Sequence, residues 1–165
     1  MNARDALIAA AVVLAWGMTF VPMKFALQQA PPMTLGLLRF AFMLLPVLPF
    51  IARPALPWRW LAAYGLSISF GQFALMFMAI ARGMPTGLAA LLHQAQVFFT
   101  VLMAAWWLGE PVRRHQALGM GLAALGLGLI GAGQYRGALP MSALALVLAS
   151  SLSWAAGNLV VKRMA

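Results

Sequence analysis

The sequence predicts an all-α integral membrane protein, built as a first repeat of five membrane helices followed by the first helix of an inverted second repeat. Three observations predict this class. The chain of 165 residues is 64% hydrophobic and only 8% charged, whereas a soluble domain is about half apolar and a quarter charged. Its apolar residues form six runs of membrane-spanning length, and the last run resembles the first. These runs are continuous rather than alternating, which excludes a transmembrane β-barrel.

Six membrane helices are predicted, each close to the roughly 20 residues needed to cross the hydrocarbon layer. Short connections containing Pro, Gly, Gln or Arg separate them, so consecutive helices should be adjacent and antiparallel. The first run is too long for the apolar region of a signal peptide and is interpreted as a retained span. The predicted spans are Ala6–Leu27, Met33–Ile51, Trp60–Ala81, Pro85–Leu108, Gln116–Ala132 and Leu139–Val161.

The distribution of Lys and Arg predicts a cytoplasmic N-terminus. With that orientation, seven cationic residues lie on the cytoplasmic side and three on the opposite side, in agreement with the positive-inside rule. The cytoplasmic set is Arg4, Arg53, Arg59, Arg113, Arg114, Lys162 and Arg163, and the opposite set is Lys24, Arg82 and Arg136. Because these charges flank apolar runs singly or in pairs, they indicate membrane topology and exclude nucleic acid as a partner.

The sixth span repeats features of the first. An offset of 138 residues pairs Trp16 with Trp154 and Lys24 with Lys162. One repeat then contains five spans, so the second copy enters the membrane in the opposite direction, as in secondary transporters whose binding site lies between two halves. The predicted domains are residues 1–135 and residues 139–165, and we expect this chain to be a fragment of a ten-helix protein.

Several segments carry a family resemblance: Trp16–Phe20 with Lys24, Pro32 to Phe40, and the pair Gly109-Glu110. They are similar to the EamA-type carriers of the drug/metabolite transporter superfamily. A further set resembles the cysteine and O-acetylserine exporter subgroup, namely Ala52–Pro54, Tyr64–Phe70, Gly83–Ala89, Gln94–Thr100 and Trp154–Lys162. The resemblance implies a multi-pass exporter of small amino acids or related metabolites in the bacterial cytoplasmic (inner) membrane, with no cofactor. Gln96 stands where most of the wider family has proline, so the resemblance does not predict a kinked fourth span.

Polar side chains inside the predicted spans are candidates for substrate binding. Arg39 would either clamp a substrate carboxylate or extend its guanidinium to the nearby outer interface. His93 and Gln96 lie three residues apart and share a helical face, whereas Gln94 points elsewhere. Together with Gln72 in the third span, they would either bind a zwitterion or form hydrogen bonds between helices.

Two tryptophans complete the candidate set. If the repeat is real, Trp16 and Trp154 should face each other across a pseudo-two-fold axis, where they would line a cavity or simply pack. Asn158 lies one turn beyond Trp154 on the same helical face. The predicted substrate-binding residues are therefore Trp16, Arg39, Gln72, His93, Gln96, Trp154 and Asn158.

Charged residues at the membrane edges have simpler interpretations. Lys24 and Lys162 are predicted to be interface anchors, and Glu110 a structural residue that pairs with Arg113 or Arg114. Because the two carboxylates, Asp5 and Glu110, both fall at membrane edges, His93 is the one mid-membrane group that would titrate near neutral pH.

Other functions remain as alternatives. The absence of cysteine excludes thiol catalysis and Cys-based metal sites, and the two histidines, His93 and His115, have no metalloprotease spacing, so an intramembrane enzyme is not predicted. A transporter for another small metabolite or drug, or a non-transporting scaffold, would fit the same spans. The glycines of the fifth span, spaced by seven residues at Gly119, Gly126 and Gly133, predict close helix packing or a homodimer contact.

Overall fold

The computed structural model describes residues 2–51, 54–134 and 140–164, without the side chains of 130–134. Every regular element in these ranges is helical. In chain order the elements are α1 (Ala3–Met18), α2 (Phe20–Gln29), α3 (Pro32–Leu44), a 3-10 helix (Leu48–Phe50), α4 (Trp58–Tyr64), a π-helical segment (Gly65–Gly71), α5 (Gln72–Ala81), α6 (Thr86–His93), α7 (Ala95–Leu108), α8 (Arg114–Gln134) and α9 (Met141–Met164).

Five helical stretches in the described residues are long and apolar enough to cross a membrane: Ala3–Gln29, Pro32–Phe50, Trp58–Ala81, Thr86–Leu108 and Met141–Met164. We call the first four the first to fourth spans. The all-α membrane fold class is thereby confirmed, and the predicted ends differ from the observed ones by a few residues. Helix α8 occupies the predicted fifth span, and its 21 residues correspond to about 31 Å. Arg53, Arg136 and Leu139, which the topology prediction used, lie outside the described residues.

The first two spans are interrupted near proline. Pro22 has no N–H, and its ring conflicts with the carbonyl of Met18 four residues earlier, so α1 ends at Met18 and α2 begins at Phe20. Thr19, between them, donates its hydroxyl to the Ala15 carbonyl at 2.9 Å, a bond that often bends helices. In the second span α3 ends at Leu44, just before Pro46, and a short 3-10 helix follows.

The third and fourth spans are also discontinuous, although no proline lies at either break. The third span widens into seven residues of π-helix, whose end is marked by the bond from the Gln72 N–H to the Ser67 carbonyl. The fourth span is interrupted at Gln94, where Gln94 N–H bonds the Leu91 carbonyl at 3.1 Å and Val97 N–H bonds the Gln94 carbonyl at 3.0 Å. These i→i+3 bonds tighten one turn and interrupt the fourth span at a point where the sequence has no proline.

Helix α9 packs against both the third and the fourth spans. It runs antiparallel to the third, because Ser150 bonds the Gln72 carbonyl whereas the later Ser153 bonds the earlier Ser67 carbonyl. It runs parallel to the fourth, since the contact of Ser151 with His93 precedes that of Lys162 with Glu110 along both helices. Alternating membrane crossings require these two directions.

Small residues let α9 approach the third span closely. A Cβ atom on Gly157 would lie 2.8 Å from Ile68 Cβ, and one on Gly71 would collide with Ser153 Oγ. The adjoining core, formed where the third and fourth spans meet α2 and α9, contains Met23, Met76, Phe77, Ala79, Met84, Ala89, Ala143 and Val147. This packing brings polar residues of α9 against the fourth span.

Candidate functional site

A buried polar network surrounds His93 at the end of α6. His93 Nε2 lies 3.4 Å from Gln72 Nε2, and His93 Nδ1 lies 3.3 Å from Ser151 Oγ. Ser151 Oγ also lies 2.9 Å from the Val147 carbonyl and 3.3 Å from the His93 carbonyl. Either carbonyl can accept its proton, so the oxygen can still accept from an Nδ1–H. Nε2 is then free to accept from the Gln72 amide. The network therefore gives both ring nitrogens of His93 a hydrogen-bonding partner and links three separate helices.

An aromatic wall covers this network. The Trp154 ring lies 5.1 Å from the His93 ring, centroid to centroid, and 6.0 Å from the Trp16 ring, which it meets edge-on with an interplanar angle of 63°. Trp154 is half-buried, whereas Trp16 is 64% exposed. The structure thus brings into contact the two tryptophans that the predicted repeat pairs, with one ring presenting an open apolar face.

A second polar group lies one turn further along α9. Asn158 Nδ2 is 3.4 Å from Gln96 Oε1 and 3.3 Å from Thr100 Oγ1. The Thr100 hydroxyl donates to the Gln96 carbonyl at 2.7 Å. All three side chains are half-buried, so they remain accessible while being held in place. We call Gln96, Thr100 and Asn158 the amide group.

Arg39 lies in a different environment from the other candidates. Its guanidinium carbon sits 4.1 Å from the centroid of the Phe73 ring, a cation–π contact, and Phe73 also packs against Phe40 and Phe77. No hydrogen bond between described residues joins Arg39 to the other six candidates. As a whole residue, Arg39 is exposed.

Glu110 and Lys162 form an ion pair beside an open cleft of about 500 Å³. The predicted pairing of Glu110 with Arg113 or Arg114 is wrong within the described residues, because Lys162 reaches Glu110 from the end of α9. Lys162 is therefore tied to another helix in addition to lying at a membrane edge. Thr100, Arg113 and Gln116 also line the cleft.

Four hydroxyl residues that bond neighbouring helices are not among the residues predicted from the sequence. Ser150, Ser151 and Ser153 bond the third and fourth spans, and Thr100 joins the amide group. A signal was present in the three serines that interrupt the apolar run before Trp154. Alanine-rich surroundings made them resemble neutral small residues, and only the packing of α9 reveals their partners.

The glycine stripe and the question of a metal site have simple structural outcomes. A Cβ atom on Gly119 or Gly126 would meet nothing within 4 Å, so the predicted dimer contact through α8 stays a prediction.

No group of three or more His, Cys, Asp or Glu residues that could hold a metal ion occurs in the part of the chain that the structure describes.

Comparison with known proteins identifies relatives over nearly the whole chain. Residues 4–132 match the EamA-like transporter family. The chain is 44% identical to a protein of Salmonella typhimurium and 41% identical to one of Escherichia coli, each named "Probable amino-acid metabolite efflux pump", over 99% of this chain and 55% of each relative. It is 31% identical to the "Uncharacterized transporter YvbV" of Bacillus subtilis, over 97% of this chain and 54% of that protein. The chain thus spans about half the length of the curated relatives it matches. No solved structure matches it.

Proposed function

We propose that this chain, which belongs to the EamA-like transporter family, forms part of the substrate pathway of a secondary carrier that exports amino-acid metabolites. Family membership assigns the chain to membrane transport rather than to enzyme catalysis. The names of two relatives as amino-acid metabolite efflux pumps support the substrate class. Within that class we propose cysteine and O-acetylserine as the substrates, because Gln94–Thr100 and Trp154–Lys162 resemble segments of their exporters.

The position of α9 carries the proposal. Trp154 and Asn158, on the helix that resembles the first span, lie against Trp16, His93 and the amide-group residues of the preceding spans. Carriers with inverted repeats bind substrate between the repeats near the middle of the bilayer. An apolar face beside half-buried hydrogen-bonding groups suits a small zwitterion with a short side chain.

The candidates divide into two roles. We propose that Trp16, Trp154 and the amide group contact the substrate, because their side chains are half-buried or exposed. His93 and Gln72 are buried and already bonded, so they would hold Trp154 in position from behind. Arg39 is exposed as a residue and holds its guanidinium above Phe73, where it would attract a carboxylate.

Efflux from proteoliposomes tests the proposal. Vesicles that contain the intact protein and are loaded with labelled L-cysteine or O-acetyl-L-serine should lose label faster than equally loaded vesicles without protein (empty vesicles). Unlabelled substrate should compete with the labelled substrate for efflux. Trp154→Leu should abolish the excess efflux, whereas Trp106→Leu, which alters a tryptophan 89% exposed on α7, should retain it. Efflux equal to that of empty vesicles for both compounds would contradict the proposal.

A further inference from the structure

The ion pair of Lys162 and Glu110 lies where the fourth span and α9 end. Lys162 Nζ donates to Glu110 Oε2 at 2.6 Å, and Arg113 lines the same cleft. Two cationic side chains therefore share the cleft with one carboxylate. Its volume of about 500 Å³ falls within the roughly 300–1,000 Å³ typical of small-molecule sites.

The cleft adjoins the proposed substrate site. Thr100 both lines the cleft and accepts a hydrogen bond from Asn158, so one residue of the amide group forms part of the cleft wall. Lys162 lies four residues after Asn158 on α9 and therefore on the same helical face. Thr100 and Lys162 both line the cleft, so the cleft extends from the amide group to the charged end of the bundle.

We propose that this cleft is a second binding site for an amino-acid zwitterion, with the carboxylate held by Lys162 and Arg113 and the ammonium group held by Glu110. The inference rests on the proposed function, since it assigns the same substrate to a second position. During transport, the substrate would occupy this site either before or after it contacts Gln96, Thr100 and Asn158.

The chemistry of the ion pair favours exchange with such a ligand. The side chains of Lys162 and Glu110 are 53% and 45% exposed, and an ion pair so accessible to water contributes little stability. A zwitterion carries the same two charges as the pair. It can therefore replace each partner with a charge of the same sign and leave no charged group unpaired.

Three related probes test the site through competition with labelled L-cysteine for transport by the intact protein. They are unlabelled L-cysteine, 3-mercaptopropionate, which lacks the ammonium group, and cysteamine, which lacks the carboxylate. Glu110→Gln should raise the half-inhibitory concentration of L-cysteine about tenfold, because one charge-assisted contact is lost, and leave that of 3-mercaptopropionate unchanged. Lys162→Gln should raise the half-inhibitory concentrations of L-cysteine and 3-mercaptopropionate and leave that of cysteamine unchanged.

Two controls separate recognition from stability. Lys24→Gln changes the repeat counterpart of Lys162 and should leave all three concentrations unchanged. The double variant Glu110→Lys with Lys162→Glu keeps an ion pair with its charges exchanged, so protein abundance should equal that of the wild type while the affinity for L-cysteine is reduced. Equal changes for all three probes, or recovery of wild-type affinity in the double variant, would overturn the inference while leaving the proposed function intact. Absence of L-cysteine transport by the wild type would overturn both.

Discussion

His93 shows how a polar side chain is accommodated among apolar helices. A buried donor or acceptor without a partner is costly, and both ring nitrogens of His93 have one, Gln72 on one side and Ser151 on the other. Ser151 is fully buried and also bonds the Val147 carbonyl of its own helix. The serine therefore connects α9 to the end of α6 through a group that is itself fixed.

Removal of the Ser151 hydroxyl should destabilise the bundle. Ser151→Ala leaves His93 Nδ1 without its partner, and we expect a loss of about 0.6–2 kcal/mol, the range for a hydrogen bond between membrane helices. Thermal unfolding of the purified protein in detergent measures the change. Ser142→Ala, at an exposed position on the same helix, serves as the control and should alter stability by less than about 0.5 kcal/mol. Equal stability of the two variants would show that the Ser151 contact is energetically unimportant.

At the scale of helices, polar and small residues determine which spans associate closely. Lipid is as apolar as the helix surfaces, so hydrophobicity alone does not drive helices together within a bilayer. The third and fourth spans and α9 are joined by serine hydroxyls, by Asn158 and by the close approach at Gly71 and Gly157. Their association is accordingly the most specific in the described part of the chain.

Gly157 should be sensitive to the smallest side chain. In Gly157→Ala, the added methyl group would lie 2.8 Å from Ile68 Cβ and 3.3 Å from the Ile68 backbone nitrogen, so the π-helical segment or α9 must move. We expect a loss of about 1–3 kcal/mol from overpacking, measured by thermal unfolding in detergent.

Gly87→Ala is the matched control for this prediction. Gly87 also lies in a helix, but nothing lies within 4 Å of an added Cβ. Alanine is the better helix former by about 1 kcal/mol, so this variant should be neutral or stabilised. Stabilisation of Gly157→Ala to the same extent would contradict the observed packing of α9 on the third span.

The positions of the spans could be predicted from the sequence, whereas their interruptions and contacts could not be predicted equally well. Long apolar runs bounded by Arg and Pro determine the spans directly. Pro22 and Pro46 offered signals for two breaks, but the π-helical segment and the turn at Gln94 arise in sequence without proline. The contacts of Arg39 with Phe73 and of Glu110 with Lys162 depend on how neighbouring helices are rotated. No pattern within one helix reports that rotation.

At the scale of the molecule, burial is concentrated in a few helices. In the third span and in α9, about a third of the 18 most apolar consecutive residues are buried. The corresponding share is 6% in the first span and none in the second. Large side chains such as Leu7 and Phe42 are more than 70% exposed. Such surfaces suit lipid or further helices, and the first two spans are therefore the expected outer members of this bundle.

The directions of the helices predict which charged residues share a side of the membrane. Because α9 is antiparallel to the third span and parallel to the fourth, Arg59, at the start of the third span, should lie on the same side as Glu110 and Lys162. Arg82, at the end of the third span, should lie on the other side. The positive-inside rule predicts that the side with Arg59 is cytoplasmic.

Labelling of introduced cysteines tests both statements, since the chain contains no cysteine of its own. A membrane-impermeant maleimide added to intact cells should label Arg82→Cys and Lys24→Cys, and should label Arg59→Cys and Arg114→Cys only after permeabilisation. Reversal of the whole pattern would contradict the N-terminal orientation and leave the bundle unchanged. Labelling of Arg59→Cys and Arg114→Cys from opposite sides would contradict the bundle itself, because the packing of α9 requires the third and fourth spans to run in opposite directions.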